Sequence, residues 1–383
     1  MGSKMKYLLE ITKIVEASIE SNRRKLLGYL DQLTRKLKKD GESEAYVALS
    51  RMANLALTNF SATAGSLVTA SDSLPQDKES RLDLLERSNC NESNTMVFLS
   101  RGIMDKLNEF LALARGAGKL LGKGIDVTPS LLLYGPPGVG KSETAKYISA
   151  KLGVPLYTVR TDSLVSSYLG STSKNLRMVF DFVKAEPCVL FLDELDAIAK
   201  QRDDGHELGE LKRVVISLLQ NIDSLGAQTI LVAATNHEHL LDPAIWRRFY
   251  MKLQLSLPSK EERMAMFKAF LRGYQIDSAP LRRLVCVSQG MSGAEIRDVC
   301  TSAVRQALLS SAKNISPLDV IRKCVEIVLP NDFVYDLKDV KSWKSFYKRF
   351  GDGTVRQKEM AELFNVSPAT ISRKINVTEV NHG

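Results

Sequence analysis

Hydrophobic positions recur at helical spacing near the start of this chain. Between residues 5 and 38, and again from residue 42 to about residue 67, apolar side chains return every three or four positions, which is typical of amphipathic helices. We therefore expect a helical N-terminal domain over residues 1–70. The polar stretch that follows, residues 71–95, is predicted to be a linker with one short helix at residues 78–87.

The middle of the chain has a different pattern, in which helical stretches alternate with short apolar runs. Four runs of four or five residues, each followed by turn residues, occupy positions 131–134, 156–160, 189–192 and 230–234. Strands that alternate with helices indicate βαβ units and a buried parallel sheet. The pattern therefore predicts an α/β domain over residues 96–258, with helices on both faces of a parallel sheet.

Helical spacing returns after residue 258, where the strand-like runs stop. We expect a small all-α lid over residues 259–335 and a further helical module over residues 336–383. Helical modules are thus predicted at both ends of the chain, around the α/β domain.

The composition is that of an ordinary globular protein. The 383 residues are 44% hydrophobic and 25% charged, which argues against a collagen-like or disordered chain. No apolar run reaches the length of a membrane span and no hydrophobic leader is visible, so the expected location is the cytoplasm. Five scattered cysteines without a CxxC pair, and only four histidines, disfavour a disulfide framework or a structural zinc site.

The net charge of +9 is concentrated at the two ends of the chain. Residues 1–70 contain 11 basic and 7 acidic side chains, and residues 336–383 contain 9 basic and 6 acidic ones. Both ends are therefore candidates for partner contacts, although a modest basic bias is more often a solvated surface than a nucleic-acid footprint.

A glycine-rich loop joins the first apolar run of the α/β domain to a helix. Its residues are Gly135, Pro136, Pro137, Gly138, Val139, Gly140, Lys141 and Ser142. Between a strand and a helix, this pattern is typical of a P-loop, whose backbone N–H groups surround the phosphates of ATP. Lys141 is expected to reach the β- and γ-phosphates, and the Ser142 hydroxyl is expected to bind Mg²⁺.

Polar residues at the ends of later strands complete the predicted site. Asp193 and Glu194 follow the third apolar run, at the strand end where parallel sheets bind ligands; we expect them to hold Mg²⁺ and to polarise the attacking water. Asn236 follows the fourth run and is expected to orient that water. Arg247 and Arg248 are not needed by their own site, and are candidates to stabilise the transition state of a neighbouring subunit.

Residues 357–375 predict two short helices joined by a tight turn. Ala361 allows close helix packing, Asn365 can adopt the left-handed turn conformation, and Ser367 can cap the second helix. The stretch resembles a helix-turn-helix, and an alternative is a helical module that docks a protein. The outward residues that are candidates for contacts with duplex DNA are Ala369, Thr370, Ser372, Arg373 and Lys374.

These motifs, in this order and spacing, resemble the AAA family of ring ATPases over about residues 97–310. The matching positions are Walker A (residues 135–142), Walker B (Asp193 and Glu194), sensor 1 (Asn236) and a pair of arginine fingers (Arg247 and Arg248). The resemblance implies a homo-oligomer, expected to be a hexamer, because the fingers need a neighbour. It also implies that Gly293 and Ala294 in the lid lie against the adenine and ribose of ATP.

A short segment before Walker B is similar to the pore loop of the protein unfoldases in this family. It consists of Tyr168, Leu169 and Gly170, and residues 201–210 are a candidate second pore loop. An aromatic ring on a glycine-tethered loop can grip an extended polypeptide by apolar contact without reading its sequence. The alternative is that Tyr168 is an ordinary core or surface tyrosine.

Two functions remain in competition at this point. The first is a ring ATPase that unfolds or disassembles a protein client by threading, with any degradation carried out by a separate protease. The second is a DNA-associated ATPase, either a transposition helper, a loader or a regulator, positioned by the helix-turn-helix. A scaffold without ATPase activity is disfavoured by the presence of Lys141, Asp193 and Glu194.

Overall fold

The structure is a computed structural model that describes residues 33, 36, 74–77, 81–93, 95–125, 127–164, 169–199, 208–274, 278–312 and 314–380. In the predicted N-terminal domain it describes Leu33 and Lys36, which are both helical. Tyr168 of the predicted pore loop and residues 201–207 of the candidate second pore loop lie outside the described residues.

A six-stranded sheet forms the centre of the α/β domain. Its strands are β1 (Leu85–Ser88), β2 (Ser130–Tyr134), β3 (Leu156–Val159), β4 (Cys188–Leu192), β5 (Thr229–Thr235) and β6 (Met251–Gln254). They lie in the order β1-β3-β4-β5-β2-β6, and all neighbours are parallel except β1, which pairs antiparallel with β3. The four predicted apolar runs are therefore confirmed as strands of a sheet dominated by parallel pairing.

Helices account for most of the remaining described residues. In chain order they are α1 (Arg101–Leu121), α2 (Lys141–Leu152), α3 (Thr161–Leu164), α4 (Leu169–Val183), α5 (Leu195–Ala199), α6 (Leu208–Asp223), α7 (Pro243–Trp246), α8 (Lys260–Phe270), α9 (Ser278–Val287), α10 (Gly293–Leu309), α11 (Pro317–Val328), α12 (Val340–Phe350), α13 (Gln357–Leu363) and α14 (Pro368–Val380). In the described parts of the chain, no helix is both long and apolar enough to cross a membrane.

Helices cover both faces of the sheet because its central strands are apolar on both sides. Every residue of β4 and β5 is buried. In β2, successive side chains point to opposite faces, so Leu131 lies in one buried cluster with Phe110 of α1 and Ile148 of α2. Leu132 instead lies in the cluster that contains Phe180 of α4. The predicted fold class, a P-loop type α/β sheet covered on both faces, is confirmed.

Of the helix predicted at residues 78–87, the described residues 81–87 are not helical. The last of these residues begin β1, which extends the sheet beyond β3, and Leu84 and Leu85 are 0% and 1% exposed. Pairing with the edge of β3 and burial of the two leucines outweigh the weak local preference for a helix. Strand β6, at the opposite edge of the sheet, was also not predicted from the sequence.

The lid and the C-terminal helices share one hydrophobic core. Side chains of α8 to α11 form a continuous buried cluster with Trp343, Phe346 and Phe350 of α12. An ion pair between Arg283 of α9 and Glu359 of α13, with 2.8 Å between Nε and Oε1, joins the two regions at a mostly buried position. The packing is thus continuous across residue 335, where the sequence predicted a boundary.

The turn between α13 and α14 has the features that its sequence predicts. Asn365 has a φ of 53°, which is the left-handed conformation. The Ser367 Oγ accepts a hydrogen bond from the Thr370 N–H at 3.2 Å, and Ala361 and Ile371 are buried. The binding of DNA by this pair of helices stays a prediction.

Candidate active site

The glycine-rich loop lies between the buried strand β2 and the first turn of α2. It starts at Gly135, whose φ of 137° suits glycine and whose added Cβ would lie 2.0 Å from the Leu255 carbonyl oxygen. Leu255 in turn donates its N–H to the Tyr134 oxygen at 2.8 Å. The unpredicted strand β6 therefore fixes where the loop begins.

Lys141 is the first residue of α2 and is 7% exposed. Its ammonium donates hydrogen bonds to the carbonyls of Gly135 (2.7 Å) and Pro136 (2.8 Å). Burial lowers the pKa of Lys141, while the charges of Asp193, Asp196 and Glu238 act in the opposite direction. The loop thus holds the partly desolvated Lys141 ammonium beneath its own backbone. A phosphate can compete with the two carbonyls for this charge.

Asp193 and Ser142 meet at the carboxyl end of β4. The Ser142 hydroxyl donates to Asp193 Oδ2 at 2.9 Å, although 51 residues separate them along the chain. A hydroxyl and a carboxylate are the hard oxygen donors that Mg²⁺ prefers, usually together with water and substrate phosphates. The residues present therefore fit a magnesium site.

Glu194 is exposed at the mouth of the same site. Its backbone adopts the left-handed conformation, with a φ of 51°, and its N–H donates to Asp193 Oδ1 at 3.0 Å. Non-glycine residues in this conformation are uncommon and are often found where a side chain has a particular task. The Asp193 carboxylate thus accepts hydrogen bonds from Ser142 and from the Glu194 N–H, while the Glu194 side chain is exposed.

Asn236 is held next to these acids by the residue that precedes it. The Thr235 hydroxyl donates to Asp196 Oδ1 at 2.6 Å and accepts the His237 N–H at 3.0 Å. This pair of bonds fixes the turn at the end of β5 to helix α5, which follows Glu194. Asp196 and Thr235 were not identified from the sequence, although Asp196 lies two residues after Glu194 and Thr235 directly precedes Asn236.

The start of α10 closes the site from the lid. Ser292 and Glu295 form a capping box around the first turn, and the Ala294 N–H donates to the Gly138 carbonyl at 3.0 Å. A Cβ added at Gly138 would lie 2.7 Å from the Ser292 Oγ. Gly293 and Ala294, which were predicted to contact the nucleotide, therefore lie directly against the phosphate loop.

An aromatic and cationic cluster extends this side of the site. Phe98 and Phe270 meet edge to face with 5.4 Å between ring centroids. The Arg297 guanidinium lies 5.5 Å from the centre of the Phe270 ring and forms an ion pair with Glu143 at 3.5 Å. Phe98 and Phe270 were not predicted from the sequence as site residues. The one feature that could have indicated them is the apolar run 96–99 before α1.

Together these groups surround one cavity of about 290 Å³, lined by residues 96–99, 137–144, Asp193, Glu194, Asn236, Met266, Phe270, Gly293, Ala294 and Arg297. This volume is at the small end of the range for ligand sites. One side is apolar and suits a flat base, and the opposite side is polar and suits phosphates. The cavity brings together most of the residues predicted to bind ATP.

The two candidate arginine fingers lie elsewhere. Neither Arg247 nor Arg248 is among the described residues that line the cavity. Both are exposed at the end of α7, and Arg248 forms an ion pair with Asp223 of α6 at 3.1 Å. Of the predicted pore loop, Leu169 and Gly170 form the start of α4.

Comparison with known proteins agrees with this geometry. A family model described as the ATPase family associated with various cellular activities (AAA) matches residues 131–257. An AAA family ATPase called y4kL, from Sinorhizobium fredii, is 37% identical over 244 residues, which are 64% of this chain and 74% of that protein.

More distant relatives carry functional names. The proteasome-activating nucleotidase of Archaeoglobus fulgidus is 32% identical over 57% of this chain and 56% of its own length. The ATP-dependent zinc metalloprotease FtsH of Rhodococcus erythropolis is 33% identical over 55% of this chain but 25% of its own length. The crystal structure of the FIGL-1 AAA domain has the same fold, with a TM-score of 0.53 and 24% identity over 69% of this chain and 92% of that one.

The contact between the lid and the phosphate loop leads to a prediction about Gly138. We expect Gly138→Ala to weaken ATP binding by about tenfold or more, because overpacking a close contact costs about 1–3 kcal/mol and the new Cβ meets Ser292. Isothermal titration calorimetry with ATP measures the change.

Gly124→Ala is the matched control for this substitution. Gly124 has a φ of 77°, against 75° for Gly138, but a Cβ there meets no atom within 4 Å. Both substitutions therefore place an alanine at nearly the same positive φ, and only one of them places a Cβ against the lid. Equal losses of ATP affinity in the two variants would show that the contact with Ser292 does not matter.

Proposed function

This chain belongs to the AAA family of ATPases, and we propose that it uses ATP hydrolysis to remodel a protein client. The single observation that carries the proposal is the cavity where Lys141, Asp193, Glu194 and Asn236 meet beside the lid. The choice of a protein as client is supported by relatives named for proteasome activation and for ATP-dependent proteolysis. The chain covers about half or less of those relatives' lengths, so their partners do not transfer directly.

In the proposed mechanism the phosphate loop holds the triphosphate with its backbone N–H groups and with Lys141. Mg²⁺, held by Ser142 and Asp193, would offset the charge of the β- and γ-phosphates. The Glu194 carboxylate accepts a proton from the attacking water as the water oxygen bonds to the γ-phosphorus and the bond to ADP breaks. Asn236 donates a hydrogen bond that orients this water or the γ-phosphate.

Arg247 and Arg248 are proposed to act on the site of a neighbouring subunit. Arg247 is exposed and forms no ion pair with a described residue, whereas Asp223 holds Arg248 in place. A guanidinium inserted beside the γ-phosphate stabilises the charge of the transition state and raises the rate by about 10³–10⁵ in known cases. We therefore propose a closed ring of identical subunits, most simply a hexamer.

Tyr168, Leu169 and Gly170 are proposed to line the central pore of this ring. The support is their sequence and the position of Leu169 and Gly170 at the start of α4, a helix that packs on the sheet beside β4. Movement of the aromatic ring with each hydrolysis event would pull an extended polypeptide. We propose that residues 1–70 select the client, and that a separate protease carries out any degradation.

A substrate trap tests the remodelling proposal. Glu194→Gln is expected to bind ATP without hydrolysing it and to retain its client, because the carboxamide cannot accept the proton. Purification with ATP and mass spectrometry identify the polypeptides that co-purify.

The control for the trap is the double variant Glu194→Gln with Tyr168→Ala. We expect a polypeptide that is enriched only when Tyr168 is present, and the wild-type ring should lose that polypeptide when ATP is hydrolysed. A polypeptide retained equally by both variants would contradict threading through the pore, while the ATPase assignment would stand.

Mixing two inactive variants tests whether Arg247 acts between subunits. Lys141→Ala removes a subunit's own phosphate contact, and Arg247→Ala removes what that subunit offers to its neighbour. In rings mixed at equal amounts, about a quarter of the interfaces combine an intact Lys141 with an intact Arg247 of the adjacent subunit. We expect each variant alone to be inactive and the mixture to recover measurable phosphate release; a mixture as inactive as its components would contradict an arginine supplied by the neighbour.

A further inference from the structure

The solvent-facing side of α14 is left uncovered by the rest of the described chain. Ala369, Thr370 and Arg373 are exposed, as are Asn376 and Val377 one turn after Arg373, and these positions follow helical spacing on one face. The opposite side is anchored by Ile371, which is 0% exposed. The helix is thus held firmly and presents one complete face to solvent.

Helix α12 adds a row of positive charge next to α14. Lys341, Lys344 and Lys348 are exposed, while Trp343 on the other side of α12 donates its indole N–H to the Thr378 hydroxyl of α14 at 2.8 Å. None of the three lysines forms an ion pair with a described residue. Their charge is available to a partner.

Several acidic side chains of this region form hydrogen bonds or ion pairs within the chain. Asp339 caps α12 by accepting hydrogen bonds from Lys341 N–H and Ser342, and Asp352 accepts from Thr354. Glu359 is paired with Arg283 of the lid. Among the described side chains from residue 336 to residue 378, eight exposed ones are basic and three, Asp336, Asp352 and Glu362, are acidic, so the outward-facing charge is predominantly positive.

From these observations we infer that α14 and the lysine row of α12 form a surface that binds duplex DNA. The α13–α14 pair has the close packing, left-handed turn and exposed second helix that allow a helix to enter the major groove. Ala369 and Thr370 are small, so the backbone of α14 can approach the base edges, and Arg373 can donate two hydrogen bonds to a guanine. The lysines of α12 contact phosphates and contribute affinity that does not depend on sequence.

An acidic protein is the competing partner, and the composition of the exposed face argues against it. Protein interfaces depend on buried aromatic, methionine or arginine anchors surrounded by packed apolar surface. The uncovered face of α14 offers one such anchor, Arg373, and one large exposed apolar side chain, Val377, among its described residues. Small polar residues with flanking lysines suit a groove lined by phosphates better.

The full chain is mixed with fluorescently labelled 30-base-pair duplexes of random sequence, and fluorescence anisotropy measures the affinity between 50 and 200 mM salt. Repeated rounds of selection for bound duplexes give the preferred sequence. The triple variant Lys341→Gln/Lys344→Gln/Lys348→Gln is expected to reduce the slope of log affinity against log salt by about 2–3, roughly one for each phosphate contact. Its preferred sequence should not change. Arg373→Ala is expected to lower affinity for the selected sequence about tenfold and to relax the preference at one position.

A matched variant controls for net charge. Lys106→Gln/Lys119→Gln/Lys123→Gln removes three exposed lysines from α1 and the turn after it, and should leave DNA binding unchanged. All substituted side chains are exposed, so ATPase activity and thermal unfolding are expected to match the wild type. Absence of duplex binding at 50 mM salt, or equal duplex affinity of the two triple variants, would overturn the inference. Displacement of the duplex by polyglutamate at matched charge would also overturn it and would point to an acidic protein as the partner.

Discussion

The hydrogen bond from the Ala294 N–H to the Gly138 carbonyl is the contact on which the rest of this structure depends. At 3.0 Å it ties the first turn of α10 to the middle of the phosphate loop. A glycine at 138 permits this approach, since any side chain there would strike Ser292. In the proposed mechanism the loop therefore serves two partners, because its N–H groups would face the phosphates while one of its carbonyls holds the lid. The bond therefore couples the loop to a helix of 17 residues, and we propose that phosphate binding moves the two together.

Helix α10 belongs to a packed unit that is larger than the lid predicted from the sequence. Helix α10 shares a buried core with α11 and with the aromatic side chains of α12, and the Arg283–Glu359 ion pair ties α9 to α13. Close-packed cores of this kind move as rigid units instead of deforming gradually. The basic surface of α12 and α14 would then follow the nucleotide state, so that ATP occupancy and partner binding influence each other reciprocally.

The sequence predicted those parts of the fold that depend on local pattern. Strands β4 and β5 are continuous apolar runs because both of their faces are buried, and the phosphate loop is recognisable because its chemistry requires a fixed spacing. Strand β1 escaped prediction because its four residues, L-E-R-S, become a strand by pairing with β3. Strand β6 had a usable signal, the alternation of Met251 and Leu253 with polar residues. The two residues of the Arg297–Glu143 pair are 154 positions apart in the chain. This contact was not predicted, because a helical pattern shows which face of a helix is buried but not which distant part of the chain covers that face.

We propose that nucleotide occupancy moves the lid and the C-terminal helices as one body relative to the sheet, and a distance measurement between the two parts can test this movement. Spin labels at Lys106→Cys on α1 and Val340→Cys on α12, both exposed positions, would report on this movement by pulsed electron resonance in the Glu194→Gln variant. The more accessible native cysteines, Cys90 and Cys286, are changed to serine, and the three buried ones react slowly because burial raises their pKa values. We predict that addition of ATP shifts the distance distribution between the labels. An identical distribution with and without ATP, under conditions where calorimetry shows the site to be saturated, would show that nucleotide occupancy does not move the lid relative to the sheet.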